Sequence, residues 1–197
     1  MTGRASVNDG MSGGAHGGMS GDSDSEREAP RLVRATEADV DAITRLVQTA
    51  YAKWVPLIGR KPMPMEADYA VAIRVHRIDL LLDGLVLAGL IETTRRDNDL
   101  LVVNVAVDPA HQGRGLGKRL LAHAESLVRA AGLGVMRLYT NSRFTENIRL
   151  YAALGYRVER EEAMNGGVRM HMVKEFLTPA AESSPPETPP QAHRDRS

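Results

Sequence analysis

Periodic apolar positions are confined to the stretch between about Arg31 and Leu177, and within it the pattern alternates strand and helix. "RLVRAT" (31–36) predicts a short strand. Thr36 followed by Asp39 resembles a capping box. Val40, Ile43, Val47, Ala50 and Tyr51 then fall at helical spacing, predicting a helix over 37–52. "VPLIGRKPMPM" predicts no regular element, because Pro56, Pro62 and Pro64 interrupt it. A second helix is expected over 66–76. "HRIDLLLDGLVLAGLIETT" reads as two strands around a turn at Asp83-Gly84. The valine-rich run "DLLVVNVAVDP" reads as a central strand buried on both faces.

Leu116, Leu120, Ala124, Leu127, Val128 and Ala131 predict a long helix stopped by Gly132. "VMRLYT" is a further strand. "TENIRLYAAL" is a short helix stopped by Gly155, and "YRVEREEAMNGGVRMHMVKEF" is a closing hairpin turning at Asn165-Gly166. The central β–α–β–α order implies parallel pairing near the middle, and the outer hairpins imply antiparallel strands. The expected fold is a mixed α/β sheet with helices on both faces. The flanks carry no such pattern. Residues 1–30 are rich in Gly, Ser and acidic side chains, residues 178–197 are rich in Pro, and both are expected to be disordered tails. Met11 and Met19 offer alternative starts within the first tail.

Composition narrows the chemistry. Lys+Arg and Asp+Glu are both 25, so the formal net charge is zero. No global field favours nucleic acid or an acidic membrane surface, and a strongly charged substrate is disfavoured. Cysteine is absent, which excludes disulfides, thiolate zinc sites and cysteine nucleophiles. The six histidines show no H-x-x-x-H pairing, so no metal is expected. No apolar run approaches the ~18 residues of a membrane span, and no secretory signal is evident. The expectation is a cytoplasmic protein.

One segment breaks the pattern. "PAHQGRGLGKRLL" (109–121) sets Gly113, Gly115 and Gly117 where a helix must begin. Glycine weakens helices, but a strand, a glycine turn and a helix start together form an anion site of free amides and helix dipole. The P-loop pattern fails, because Gln112 stands at its first glycine and Arg119 at its hydroxyl. The dinucleotide pattern fails at Lys118 or Leu120.

Gln112, Gly115 and Gly117 do satisfy [Q/R]-x-x-G-x-[G/A]. With "VNVAVDPAHQGRGLGKRLLAHAE" and the later "LYAALGY" in order, residues 31–177 resemble the GNAT superfamily of acetyl-CoA-dependent N-acetyltransferases. The resemblance implies a GNAT-like α/β fold: a mixed, mostly antiparallel central sheet with a parallel central pair. It implies acetyl-CoA as cosubstrate, with its pyrophosphate on the backbone of Gln112, Gly113, Arg114, Gly115, Leu116, Gly117 and Lys118. The side chains of Arg114 and Lys118 would add charge. Val105 and Val107 would offer backbone groups to the pantetheine arm.

Tyr151 occupies the position of the general acid that protonates the departing thiolate. Asn147, one turn earlier, would contact the cofactor. The family's usual asparagine is replaced by Phe144, and Asn141 is a second substitute. The strand glutamate that serves some members as base is replaced by Leu101. Glu92, directly or through water, is a candidate base, although a charged strand end facing solvent is the expected reading of that residue, and a water chain would also suffice.

On the substrate side Trp54, Met63, Met65 and Tyr69 would line an apolar pocket, with Asp68 holding the amine. The implied activity is acetyl transfer by direct attack of a primary amine, on a small molecule or a peptide, in a ternary complex. The alternative is a non-catalytic acyl-CoA sensor or interaction module. Neither nucleic acid nor membrane is an expected partner, and the resemblance leaves a homodimer open.

Overall fold

A computed structural model describes residues 29–164 and 167–177. The two tails and the Asn165-Gly166 turn lie outside the described residues. Among the described residues seven strands form one sheet: β1 (Arg31–Arg34), β2 (Arg77–Asp83), β3 (Val86–Arg95), β4 (Leu100–Val107), β5 (Val135–Asn141), β6 (Arg157–Met164) and β7 (Gly167–Glu175). Their spatial order is β1-β2-β3-β4-β5-β7-β6. Every neighbouring pair is antiparallel except β4–β5, which is parallel. The mixed sheet with a parallel centre is therefore as expected. The insertion of β7 between β5 and β6 was not legible in the pattern, since a hairpin can lie either way round.

Among the described residues five α-helices flank the sheet: α1 (Val40–Tyr51), α2 (Val55–Ile58), α3 (Tyr69–Val75), α4 (Leu116–Ala130) and α5 (Thr145–Ala153). The start before α1 is capped as its sequence suggests. The Asp39 carboxylate accepts from the Thr36 amide and hydroxyl, both at 2.8 Å. Two boundaries differ from expectation. The proline segment contains an α-helical turn, α2, and a 3-10 turn from Met63, the first tolerated because Pro56 falls in its first turn, where a backbone N–H has no intrahelical partner anyway. The next helix begins at Tyr69 rather than 66, because Asp68 caps it, accepting from the amides of Ala70 (2.9 Å) and Val71 (3.2 Å). Among the described residues no helix is long and apolar enough to cross a membrane.

The core has two layers, one on each face of the sheet. Against α1 and α3 lie Ile43, Val47, Tyr69, Ile78, Leu80, Leu90 and Ala106. Against α4 and α5 lie Leu81, Ile91, Val102, Leu120, Leu121, Met136, Leu138 and Tyr151. Each fully buried Leu or Ile contributes roughly 1.5–3 kcal/mol. Helix α4 sits close on β3 because residue 89 is glycine. A Cβ there would meet the Ala106 carbonyl oxygen at 2.8 Å and Leu120 Cδ1 at 3.2 Å.

Two features of β4 position the site. First, its pairing with β3 slips by one residue: Asn104 faces Glu92, yet Val102 faces Thr93, leaving Val103 as a bulge. A one-residue bulge inverts the alternation of faces. Leu100 and Val102 thus point to the α4 layer, while Asn104 and Ala106 point to the α1 layer. Second, β4 and β5 pair only over Leu100–Val102 against Met136–Leu138, and then separate. Beyond Val102 the centre of the sheet is split.

Candidate active site

The split is bordered by the glycine loop. Asp108 turns the chain off β4, accepting from the Ala110 amide at 2.9 Å. Gln112 folds back, its side-chain amide donating to the Val107 carbonyl at 3.0 Å. Gly115 caps α4 with φ +78°, a conformation that L-residues reach only with strain. No side chain caps this helix start, and the first intrahelical bond runs from Arg119 N to Gly115 O at 3.1 Å. The amides of Leu116, Gly117 and Lys118 therefore have no partner within the helix, and the positive end of a 15-residue helix points the same way.

These amides face a cleft of about 380 Å³, bordered by Val105, Val107, Gln112, Gly113, Gly115, Leu116, Gly117, Lys118, Asn147 and Tyr151. Ten of the eleven residues expected to hold cofactor or carry catalysis thus line one space. The exception is Arg114, whose guanidinium turns away to Asp83 Oδ2 at 2.7 Å and ties the loop to the β2–β3 turn.

The antiparallel ladder explains how β4 contributes. Asp108 N donates to Ala88 O at 2.9 Å, so in this register the alternate residues Ala106 and Asn104 bond to β3. Val105 and Val107 consequently direct their backbone groups into the split. Tyr51 Oη donates to the Val105 carbonyl at 3.3 Å and to Asn104 Oδ1 at 2.7 Å. Asn104 in turn donates to Tyr69 Oη at 3.1 Å, and Tyr69 donates to the Pro64 carbonyl at 3.0 Å. A buried polar chain therefore braces the bulged strand against α1 and α3. Burial holds the Tyr51 and Tyr69 hydroxyls well above the usual phenol range.

Tyr151 lies where the cleft meets a second, smaller cavity of about 90 Å³. Tyr51, Val105, Asn147 and Tyr151 line both spaces. Tyr151 is only 8% exposed and stands edge-on to Tyr156, ring centroids 5.8 Å apart. Burial pushes its hydroxyl up to about 12. Asn147 and Tyr151 share a face of α5 one turn apart, as the spacing requires. Phe144 does not replace an asparagine chemically. It stacks on Trp54 at 4.3 Å and closes α5 against the end of α1.

The other expected residues are distributed differently. Of the expected pocket residues Met63 lines the second cavity, while Trp54 lines the cleft. Met65 packs in the α1 layer, Tyr69 is buried there, and Asp68 is occupied as a helix cap. Glu92 is not a solvent-facing strand end. It is 3% exposed, on the α1–α3 face of the sheet, and paired with His76 Nδ1 at 2.5 Å. Asn141 lines the second cavity, with its Oδ1 accepting from the Arg143 amide at 2.9 Å.

Lys53 was not singled out by the sequence pattern. Its ammonium reaches Glu146 (3.3 Å) and Gln112 (3.4 Å) across the mouth of the cleft. Tyr51 was read only as a helix position, and Asn104 only as strand. A lone asparagine in "VVNVAV" was the available signal, because a buried amide demands hydrogen-bond partners. Among the described residues no His, Asp and Glu cluster is suited to hold a metal.

Comparison with known proteins bears on this geometry. Residues 73–158 match the family model described as the acetyltransferase (GNAT) domain. A 52-residue segment is 48% identical to the mycothiol acetyltransferase of Streptosporangium roseum, covering 26% of this chain and 15% of that protein. The chain thus spans a small part of that relative's length. Among solved structures, the PaiA N-acetyltransferase of Thermoplasma acidophilum, in complex with coenzyme A, superposes with a TM-score of 0.64. It is 17% identical, over 76% of this chain and 100% of that one. The ribosomal-protein-S18-alanine N-acetyltransferase of Escherichia coli gives 0.64 at 20% identity, over 79% and 98%. The yncA structure from Salmonella typhimurium, with its cofactor acetyl-CoA, gives 0.59 at 22% identity, over 80% and 99%. The domain match runs from α3 into β6, across the split strand pair and the glycine loop, so this part of the chain is similar to the acetyltransferase (GNAT) domain, and the solved structures share its fold.

Proposed function

We propose that the chain is an acetyl-CoA-dependent N-acetyltransferase acting on a primary amine by direct attack in a ternary complex. The observation that carries this reading is the position of Tyr151, whose side chain borders both the glycine-loop cleft and the second cavity. A pure acyl-CoA sensor has no use for that second cavity or for a phenol at its junction with the first.

The residues fit the cosubstrate. The uncapped amides of Leu116 to Lys118 suit a pyrophosphate. The backbone of Val105 and Val107, directed into the split with its carbonyls already accepting from Tyr51 and the Gln112 side chain, suits an extended amide-bearing arm added as a strand there and bonding to the two amides. Lys118 adds positive charge beside the amides, while Arg114 acts on loop position through Asp83.

The reaction then runs from one cavity to the other. A neutral amine in the second cavity attacks the thioester carbonyl held near Val105. A C–N bond forms and the C–S bond breaks. The leaving thiolate takes the Tyr151 proton, and the amine nitrogen gives up a proton to solvent, which restores the phenol. A phenol held near 12 stays protonated at neutral pH and is present as a donor, while its transfer to the thiolate of a thiol near ~8.5 runs uphill and is completed as the phenolate recovers a proton from solvent.

Release of free CoA thiol from acetyl-CoA tests this against polyamines, aminoglycosides, amino acids and short peptides. The protein has no cysteine to contribute background. Amine-dependent release is expected, and Tyr151→Phe is expected to lower kcat by about 10²-fold while leaving CoA binding unchanged by calorimetry. CoA binding without turnover on any amine would favour the sensor, and absence of binding would refute the cleft assignment.

A further inference from the structure

The second cavity has a charge of its own, although the chain as a whole has none. Its apolar wall comes from Ile58, Pro62, Met63, Phe144 and Met164. Among the described residues the charged side chains lining it are Arg60 and Arg169, with no carboxylate. Arg169 is held in place from several sides. It lies on β7 opposite Asn141 of β5 and Glu162 of β6. Its guanidinium sits over the Tyr139 ring at 5.1 Å, and its side chain is 21% exposed.

Its hydrogen bonding is lopsided. Nη1 reaches Glu162 at 3.2 Å, but that carboxylate also serves His171 Nε2 at 2.8 Å and Arg160 Nη1 at 3.7 Å. Among the described residues Nη2 meets only the Met63 sulfur, at 3.1 Å. A thioether is a weak acceptor. A guanidinium that is largely shielded, shares one carboxylate with two other groups and spends an N–H on sulfur is a site for an incoming anion. The same pair of arginines opposes a polyamine, whose second ammonium would enter a cationic cavity.

On the transferase reading above, we propose that the acceptor is an amine that also carries a carboxylate, on a short and mostly apolar skeleton. The carboxylate pairs with Arg169, the skeleton packs on Met63, Phe144 and Met164, and the amine is left toward Tyr151. A cavity of about 90 Å³ suits an amino-acid-sized molecule rather than the surface of a folded protein.

The test separates this inference from the reading beneath it. Calorimetry on the CoA-loaded protein compares N-acetylated apolar amino acids with their decarboxylated counterparts, such as N-acetylleucine with N-(3-methylbutyl)acetamide. Thiol release compares the corresponding free amines. The acids are expected to bind about ten- to a hundredfold more tightly, the range of one charge-assisted Arg–carboxylate contact. Arg169→Gln is expected to erase that preference without changing the neutral amide's affinity, and Arg169→Lys to retain part of it. Equal binding of acid and neutral partner, or an Arg169→Gln loss shared equally by both, overturns the proposal. Turnover of amines with no acid preference overturns it while the transferase reading stands. An Arg169-dependent acid preference with no turnover supports the anion site and counts against the transferase.

Discussion

The glycine-loop cleft and the cavity beyond Tyr151 share a wall but are built from different material. The cleft is made of backbone: uncapped amides at the start of α4, the free edge of β4, and glycines that keep side chains out of the way. The cavity is made of side chains drawn from α1, α2 and the segment after it, β4, β5, α5, β6 and β7. A backbone site recognises a common, repeating chemical feature such as a phosphate or an amide, and it tolerates drift in neighbouring residues. A side-chain site is remade by each substitution. The half of the site that meets the invariant reactant is thus the half that mutation alters least.

Separate perturbations of the two halves put that contrast to the test. The largest effect is expected from Gly115→Val. A β-branched residue at φ +78° is strained by about 1–2 kcal/mol, and relaxing that strain moves the amides. Acetyl-CoA affinity is expected to fall about tenfold or more, one charge-assisted contact or better, with the acceptor KM little changed. Equal losses on both sides would mean the two halves are one unit. Asn104→Ala should give the mirror result. It leaves the Tyr51 and Tyr69 hydroxyls without their shared partner, at a cost of about 1–3 kcal/mol in urea unfolding. It loosens the cavity floor, raising the acceptor KM more than the acetyl-CoA KM.

The smallest effect is an expected constancy. Because burial raises the Tyr151 hydroxyl to about 12, kcat should not decline through loss of its proton up to about pH 10, where a free phenol is half ionised. The sign for stability follows from the same shift. The folded state holds this proton more tightly than the unfolded chain, so Tyr151's contribution is intact below about pH 10 and is lost as pH rises toward 12. A kcat that falls between pH 8 and 9 would assign the proton donor to another group.

The same contrast governs what the residues disclosed in advance. The start of α1, the Asp83-Gly84 turn, the period of α4 and the stop at Gly155 are local events, set by neighbours in sequence. The cleft was legible for that reason, since Gln112 to Lys118 build it within seven positions. Arg114 escaped the reading because its partner, Asp83, lies 31 residues away. Glu92 was misread because nothing near it in sequence announces its pairing with His76, 16 residues earlier. Tyr51, Asn104 and Arg169 converge only after the sheet has formed, and the one-residue bulge at Val103 decides which layer Asn104 enters. Side-chain sites assembled from distant elements leave no periodic trace.

The parting of β4 from β5 has a mechanical meaning as well. Only three residue pairs join the four strands β1 to β4 to the three strands β5, β7 and β6. On the proposed reading a ligand arm lies in the gap and takes up the bonds the strands do not make to each other. Catching the cosubstrate and zipping the two half-sheets are then a single equilibrium. At a hundred times its dissociation constant such a ligand adds about 2.7 kcal/mol to the folded state. The protein's lifetime against proteases would then follow the supply of its own reactant, so that an enzyme short of acetyl donor is also an enzyme being cleared.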